Sequence, residues 1–138
     1  MGAWMNLPCW PEVVGSLRVL RSRGLRIAFL SNMSEGMLQA GVRQCALASF
    51  FDRLLSTDLV RSYKPDPRAY QLAIDGFRLR REEIAFVASA GWDAAGARSF
   101  GYPTFWVNRQ NQPTEELGAG DIVGGASVSD VVGYLSRE

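Results

Sequence analysis

Short apolar runs and amphipathic segments alternate along the chain. The runs have the length of buried strands, and the segments between them carry apolar residues at helical spacing, as Val13, Leu17 and Leu20 do. The predicted strands span residues 25–30, 53–57, 84–87, 104–107 and 121–126, and the predicted helices span residues 11–24, 34–45, 67–77, 93–100 and 127–136. This alternation predicts an α/β fold with a doubly wound, Rossmann-like parallel sheet in three α/β/α layers.

Residues suited to helix starts precede three of the predicted helices. Ser34 and Ser127 are expected N-caps, because a serine hydroxyl can accept a hydrogen bond from the first free N–H groups of a helix. Pro67 is expected at the first helical position, where a missing N–H costs nothing. Pro65 and Pro67 also predict an extended loop before that helix.

The region after Ile84 has the clearest pattern. Its first apolar run is followed by small residues, and Asp93 occupies the place of an N-cap or first-turn acid. Gly101 and Pro103 predict the end of that helix before the next apolar run. A strand, helix and strand in this order predict a parallel βαβ unit, which binds ligands beyond the carboxyl ends of its strands. We therefore expect residues 89–93 to line a site.

Length and charge restrict the class of protein. The 138 residues are predicted to form one domain, with residues 1–10 as a lead-in or the remnant of a preceding segment. Apolar residues make up 47% of the chain, and 15 basic residues balance 14 acidic ones, so bulk charge attracts neither nucleic acid nor an anionic membrane. No apolar run approaches the ~18 residues of a membrane span, and the start lacks the charged region of a signal peptide. A cytoplasmic location is expected by default.

The sequence contains no histidine. This excludes Ser-His-Asp and Cys-His catalysis and histidine-ligated zinc. Any catalysis must therefore use carboxylates, lysine, tyrosine or hydroxyls. Cys9 and Cys45 form no closely spaced pair and are predicted to be free thiols, with a disulfide as the less favoured alternative.

Polar side chains follow three of the predicted strands. Ser31 and Asn32 follow the first, Lys64 lies in the loop after the second, and Ser89 and Asp93 follow the third. The carboxyl ends of parallel strands share one edge of a sheet, so these groups are expected to converge on an anionic substrate. Taken singly, each residue is more simply explained as a helix cap or a solvated charge.

Four segments have a spacing that matches a known family. They read Leu-Ser-Asn at residues 30–32, Tyr-Lys-Pro-Asp-Pro-Arg-Ala-Tyr at 63–70, Phe-Val-Ala-Ser-Ala-Gly-Trp-Asp-Ala-Ala-Gly-Ala at 86–97 and Trp-Val-Asn-Arg at 106–109. Together they resemble the haloacid dehalogenase (HAD) superfamily, and most closely its type II branch, the (S)-2-haloacid dehalogenases. The resemblance extends from about Leu7 to the C-terminus and implies a HAD-type core.

In that branch an aspartate displaces halide from C2 of a small 2-haloalkanoic acid, and water hydrolyses the resulting ester. The resemblance implies no cofactor and no metal. It implies that Ser31 and Asn32 hold the substrate carboxylate and that Lys64 neutralises the region of the nucleophile. Tyr70 would support the nucleophile region, and Asp93 would orient Lys64 or the hydrolytic water. Ser89 and Trp92 would contact the substrate, with Trp92 forming a wall of the halide pocket.

Two departures from the family pattern matter. Ala88 and Ala90 stand where the branch usually has a serine and an asparagine. The first family motif, an apolar strand ending in Asp-x-Tyr-Gly-Thr, has no counterpart among the aspartates of this sequence. That strand is central to the family's sheet, so a gap is expected between the strands at 25–30 and 84–87. The chain is therefore expected to be a C-terminal part with an incomplete core, inactive alone.

Two other functions remain open. A HAD-like phosphatase needs Mg²⁺ ligands, usually two acids four residues apart, and here Ser89 replaces one of them at that distance from Asp93. The second alternative is a non-catalytic remnant or interaction module, whose exposed sheet edges pair with another chain. A homodimer is a further possibility suggested by the family.

Overall fold

Helices and parallel strands alternate in the computed structural model, which describes residues 10–113 and 122–136. The helices are α1 (Val13–Ser22), α2 (Glu35–Gln44), α3 (Pro67–Phe77), α4 (Gly91–Phe100) and α5 (Ser129–Leu135). The strands are β1 (Ala28–Ser31), β2 (Arg53–Ser56), β3 (Phe86–Ala88), β4 (Thr104–Val107) and β5 (Val123–Gly125). Short 3₁₀ turns span Ala48–Phe50, Thr57–Val60 and Arg81–Glu83. The predicted α/β alternation is confirmed.

The sheet is divided into two parts. β1 pairs with β2, and β3, β4 and β5 form a separate sheet in that order, with every pair parallel. Within the described residues β1 and β3 do not pair with each other, so the predicted gap in the sheet is confirmed.

Side chains of β4 show how helices cover both faces. Phe105 and Val107 pack against Val131 of α5, whereas Trp106, between them in sequence, packs in a cluster that includes Tyr70 of α3 and Ala94 of α4. Successive residues of a strand point to opposite faces, so these contacts place α5 on one side of the sheet and α3 and α4 on the other. The three-layer arrangement is therefore present.

Two of the predicted helix starts are observed. Ser34 caps α2 by accepting a hydrogen bond from the Met37 N–H at 3.4 Å. At α3, Pro67 takes the first turn and Asp66 is the N-cap, accepting from the Arg68 N–H at 2.8 Å. The start of α3 at Asp66 and Pro67 thus follows directly after the loop that carries Lys64.

The structure corrects three of the sequence predictions. Ser127 is not the cap of the last helix: the N-cap is Val128, and the Asp130 carboxylate accepts from the Ala126 and Ser127 N–H groups instead. The third strand begins at Phe86, two residues later than expected. The prediction of a free thiol at Cys45 is wrong, because that residue is disulfide-bonded.

Some predictions fall outside the described residues. They concern Cys9, residues 1–9 of the lead-in, and residue 121 at the start of the last predicted strand. Among the described helices, none combines the length and hydrophobicity needed to cross a bilayer.

Candidate active site

An ion pair between Lys64 and Asp93 forms the centre of the site. Lys64 lies in the loop before α3, Asp93 lies in the first turn of α4, and Lys64 Nζ is 2.6 Å from Asp93 Oδ2. The two side chains are only 10% and 9% exposed. Charges this well buried are stable only when they are paired and hydrogen-bonded, so the arrangement depends on the groups around it.

Residues at the carboxyl end of β1 hold Lys64 in place. Lys64 Nζ donates a second hydrogen bond to the Leu30 carbonyl oxygen at 3.2 Å. Asn32 Oδ1 accepts from the Lys64 backbone N–H at 2.8 Å, and Asn32 Nδ2 donates to the Lys64 carbonyl at 3.5 Å. Asn32 thus fixes the Lys64 backbone, while Leu30 and Asp93 fix its ammonium group.

Tyr70 secures the other oxygen of Asp93. Its hydroxyl donates to Asp93 Oδ1 at 2.8 Å and also lies 3.2 Å from the Asp93 carbonyl oxygen. Burial, reinforced by the negative charge of Asp93, raises the pKa of Tyr70 well above its usual value. The phenol therefore stays protonated and acts as a permanent donor to the carboxylate.

Aromatic packing and a glycine set the position of the Tyr70 ring. The ring lies 5.4 Å from Phe86 and 5.8 Å from Phe100, centroid to centroid. On the α4 side, a Cβ placed on Gly96 would lie 2.5 Å from the Tyr70 hydroxyl and 2.8 Å from Pro65 Cβ. A residue without a side chain is needed there for α3 and α4 to approach this closely.

Ser31 extends the site along the end of β1. It is buried, and its Oγ accepts from the Met33 N–H at 3.0 Å. A serine hydroxyl that accepts in this way still has its own O–H to donate. Ser31 can therefore offer a hydrogen bond to an anion at this edge.

Trp92 and Ser89 lie at the rim. Trp92 is 40% exposed, and its ring is 6.0 Å from Lys64 Nζ. Ser89 is exposed, and its carbonyl oxygen accepts from Trp106 Nε1 at 3.3 Å. Hydrogen bonds thus join four of the predicted site residues, Asn32, Lys64, Tyr70 and Asp93. Among the described residues, no side-chain hydrogen bond connects Ser31, Ser89 or Trp92 to that network.

The structure adds residues that sequence reasoning missed. Ser56, at the end of β2, donates to the Met33 carbonyl at 2.7 Å and so braces the turn after Ser31. The signal was available, since Ser56 is a polar residue directly after an apolar strand, as Ser31 is. The buried Thr57 Oγ1, by contrast, has no hydrogen-bond partner among the described residues.

The two alanines of the third strand region have distinct surroundings. Ala88 is buried, 3% exposed, at the end of β3. Ala90 is the N-cap of α4 and supplies no side-chain hydrogen bond to it. The start of α4 therefore lacks a side-chain cap beside Asp93.

The described residues contain no cluster of three or more histidine, cysteine, aspartate or glutamate side chains that could hold a metal ion. At the centre of the site both oxygens of Asp93 already accept hydrogen bonds, from Lys64 and Tyr70. What the arrangement offers is hydrogen-bond donors, among them an ammonium group paired with Asp93, and such donors suit a small anion.

Comparison with known proteins identifies the family. A family model described as haloacid dehalogenase-like hydrolase matches residues 2–101. The chain belongs to the haloacid dehalogenase-like hydrolases. The resemblance inferred from the four sequence segments is thus confirmed at the level of the family.

Individual relatives show how much of the length of such proteins this chain covers. It is 48% identical to an (S)-2-haloacid dehalogenase of Pseudomonas sp. (strain YL) over 116 residues, which are 84% of this chain and 50% of that protein. It is 44% identical to haloacetate dehalogenase H-2 of Moraxella sp. (strain B), covering 83% of this chain and 51% of that one.

Among solved structures, the L-2-haloacid dehalogenase of Xanthobacter autotrophicus with chloropropionic acid covalently bound matches with a TM-score of 0.90 and 28% identity. The match covers 97% of this chain and 63% of that one. The chain spans about half the length of the curated relatives it matches.

Proposed function

We propose that this chain supplies the anion-binding and lysine-bearing part of a dehalogenase site for small 2-haloalkanoic acids, and that it does not turn over substrate by itself. The observation that carries the proposal is the buried Lys64–Asp93 pair, held by Asn32 and Tyr70 at the carboxyl end of β1. Relatives with matching sequence are named as (S)-2-haloacid dehalogenases.

The substrate carboxylate would bind next to Lys64. An ammonium group has three N–H donors, of which Asp93 and Leu30 take two. The third N–H of Lys64 and the hydroxyl of Ser31 can both donate to the carboxylate. Trp92, partly exposed beside the ammonium, is suited to form the wall against the halogen.

The reaction requires a nucleophilic carboxylate. Its oxygen forms a bond to C2, and halide leaves with the electron pair of the carbon–halogen bond. Water then cleaves the ester, regenerating the carboxylate and releasing a proton with the 2-hydroxy acid. The covalently bound chloropropionic acid named for the relative from Xanthobacter autotrophicus is in keeping with an ester intermediate.

Asp93 is poorly suited to be that nucleophile. Lys64 occupies one of its oxygens at 2.6 Å and Tyr70 occupies the other at 2.8 Å. A carboxylate whose two oxygens each accept a strong hydrogen bond is a weaker nucleophile, because those bonds stabilise its negative charge. We therefore assign Asp93 to the orientation of Lys64 and expect no turnover from these 138 residues alone.

Binding and turnover are tested separately. (S)-2-chloropropionate is titrated into the ¹⁵N-labelled chain, and NMR shift changes are expected around Ser31, Lys64 and Trp92. Lys64→Met should weaken binding about tenfold or more, because a charge-assisted hydrogen bond is lost. Arg98→Met removes the same charge from the exposed face of α4 and should leave the affinity unchanged.

Turnover is measured as halide release. The unmodified chain should release no more halide than a Lys64→Ala control. Release above that control would contradict the claim of inactivity, and a titration with no shifts near Lys64 would contradict the assignment of the site. Hydrolysis of p-nitrophenyl phosphate that rises with added Mg²⁺ would favour the phosphatase instead.

A further inference from the structure

We propose that the Tyr102 hydroxyl positions the Lys64–Asp93 pair. It acts through Tyr70, by holding α3 at the height along the sheet at which the Tyr70 hydroxyl reaches the Asp93 carboxylate. Tyr102 is thus a positioning residue and does not itself contact substrate. This inference deepens the proposed function and rests on it only for haloacid binding, because the position of Tyr70 is tested without haloacid.

Tyr102 contacts the backbone of α3 at the turn that carries Tyr70. It lies between the end of α4 and the start of β4 and is completely buried. Its hydroxyl donates to the backbone carbonyl oxygen of Tyr70. The backbone N–H of Ile74, one helical turn further along α3, interacts with the same hydroxyl. Burial raises the pKa of Tyr102 to about 12, so the hydroxyl keeps its proton and remains a donor.

Aromatic packing ties the Tyr102 ring to the sheet. The ring stacks on Phe86 of β3, with 5.7 Å between centroids and 10° between planes, and lies 5.0 Å from the ring of Phe100. The Phe86 N–H also donates to the carbonyl oxygen of Pro103, the residue after Tyr102, at 2.8 Å. Rings packed in this way do not follow a helix that slides past them. Tyr102 is therefore a fixed point against which α3 is placed.

The route from Tyr102 to Lys64 consists of direct contacts. The Tyr70 hydroxyl donates to Asp93 Oδ1 at 2.8 Å, and Asp93 Oδ2 accepts from Lys64 Nζ at 2.6 Å. An O–H···O hydrogen bond has a length of about 2.5–3.0 Å, so a movement of α3 by roughly half an ångström would weaken the first contact. The carboxylate would then lose a donor on one oxygen, and Lys64 would face a differently held partner.

A purely structural role is the alternative for Tyr102, since a buried tyrosine needs a hydrogen-bond partner for its hydroxyl. Its contacts favour the positioning role. The accepting carbonyl belongs to Tyr70 itself, and the two rings lie edge to face with 6.4 Å between centroids. Tyr102 therefore touches both the backbone and the side chain of the residue that donates to Asp93.

Tyr102→Phe removes the hydroxyl and keeps the ring. Lys64 is the only lysine of the chain, so lysine labelled with ¹³C at Cε gives a single NMR signal, and tyrosine labelled at Cζ reports on each phenol. Without haloacid, the Tyr70 Cζ signal should move in Tyr102→Phe, and the Lys64 Cε signal should move toward its position in Tyr70→Phe. The affinity for (S)-2-chloropropionate should fall about three- to tenfold, because one hydrogen bond in the network is weakened.

Two control variants separate position from stability. Tyr134→Phe removes a hydroxyl on the α5 side of the sheet, where the Tyr134 ring packs 5.2 Å from Phe105, and should leave both signals in place. Val42→Ala truncates a separate hydrophobic cluster at α2 and should lower stability without moving either signal. A Tyr102 hydroxyl with a purely structural role would make Tyr102→Phe behave like Val42→Ala.

A more stable background keeps the test decisive if Tyr102→Phe does not fold by itself. Gly15→Ala in α1 and Gly41→Ala in α2 raise helix propensity, and their added Cβ atoms meet nothing within 4 Å. The parent and Tyr102→Phe are then compared with both substitutions present.

Unchanged Tyr70 and Lys64 signals in Tyr102→Phe would overturn the proposal, and so would signals that move as far in Val42→Ala. Moved signals together with a reduced haloacid affinity would support it in full. Moved signals with an unchanged affinity would support the positioning of Tyr70 and refute its effect on haloacid binding. A parent chain that binds no haloacid would refute the proposed function, and the two signals would still decide the role of Tyr102.

Discussion

Replacement of Gly96 by alanine tests whether the packing of α3 on α4 holds the site together. In an exposed helix interior, glycine to alanine stabilises a protein by about 1 kcal/mol. At Gly96 the new Cβ would lie 2.5 Å from the Tyr70 hydroxyl and 2.8 Å from Pro65 Cβ. Both separations are far below van der Waals contact, so we expect the opposite sign.

The expected magnitude follows from what must move. Tyr70 is fully buried, so displacing its ring strains a close-packed region, at about 1–3 kcal/mol. Moving the hydroxyl also disrupts its 2.8 Å hydrogen bond to the Asp93 carboxylate, a further loss of about 1.5–3 kcal/mol. After allowance for the gain in helix propensity, Gly96→Ala should lower the free energy of unfolding by about 1.5–5 kcal/mol.

The assay is equilibrium unfolding in urea, monitored by tryptophan fluorescence and circular dichroism. The matched control is Gly41→Ala in α2, where an added Cβ meets no atom within 4 Å. It should be neutral or stabilise the chain by up to about 1 kcal/mol. In a Tyr70→Phe background the cost of Gly96→Ala should fall by at least about 1.5–3 kcal/mol, because the hydrogen bond is already absent and the closest clashing atom is gone.

An unfolding free energy for Gly96→Ala equal to or above that of the parent would refute this reasoning. It would mean that α3 and α4 separate easily, and that the Tyr70–Asp93 contact does not depend on the glycine. If Gly96→Ala kept the stability of the parent but lost the NMR shift changes around Lys64 on addition of (S)-2-chloropropionate, the substitution would have rearranged Asp93 locally.

Three further predictions concern single positions. Ala90→Asn should raise the free energy of unfolding by about 1 kcal/mol in urea titrations, since Ala90 is an extended N-cap without a side-chain acceptor. Hydrogen bonds from the Arg68 side chain and N–H lower the pKa of Asp66 from 3.8 to about 2. The ionised Asp66 carboxylate therefore stabilises the folded state fully above pH 3.8, and this contribution disappears as the pH falls through about 2. The difference in Tm between the parent and Asp66→Asn should shrink over that range. Thr57→Val should stabilise the chain by about 1 kcal/mol in the same titrations, because it removes a buried hydroxyl without a partner.

Much of the fold follows from short-range signals. Each of the five strands overlaps a strand predicted from the sequence. Ser34, Asp66 and Pro67 start their helices by local hydrogen bonding and fixed backbone geometry. The ends of the strands were less predictable. The apolar run before β4 begins at Ile84, but β3 pairs with β4 only from Phe86 onward. Pairing depends on the partner strand and is not encoded in the run itself.

The convergence of Lys64 with Asp93 was predictable from topology, but its details were not. Asn32 was expected to bind substrate, yet both ends of its amide contact the Lys64 backbone. Nothing in the local sequence indicates that Gly96 must face Tyr70, because this contact depends on how closely two helices pack. Such contacts between distant residues require the assembled structure.

Lys64 also connects the two parts of the interrupted sheet. Its ammonium group bonds to Leu30 on the β1 side of the gap and to Asp93, at the start of the helix that follows β3, on the other. Because the ion pair is well buried, loss of either partner leaves an uncompensated charge, so the two sides are coupled at this end of the gap. The Lys64–Asp93 ion pair therefore links the β1–β2 pair to the β3–β4–β5 sheet, which no strand pairing among the described residues does.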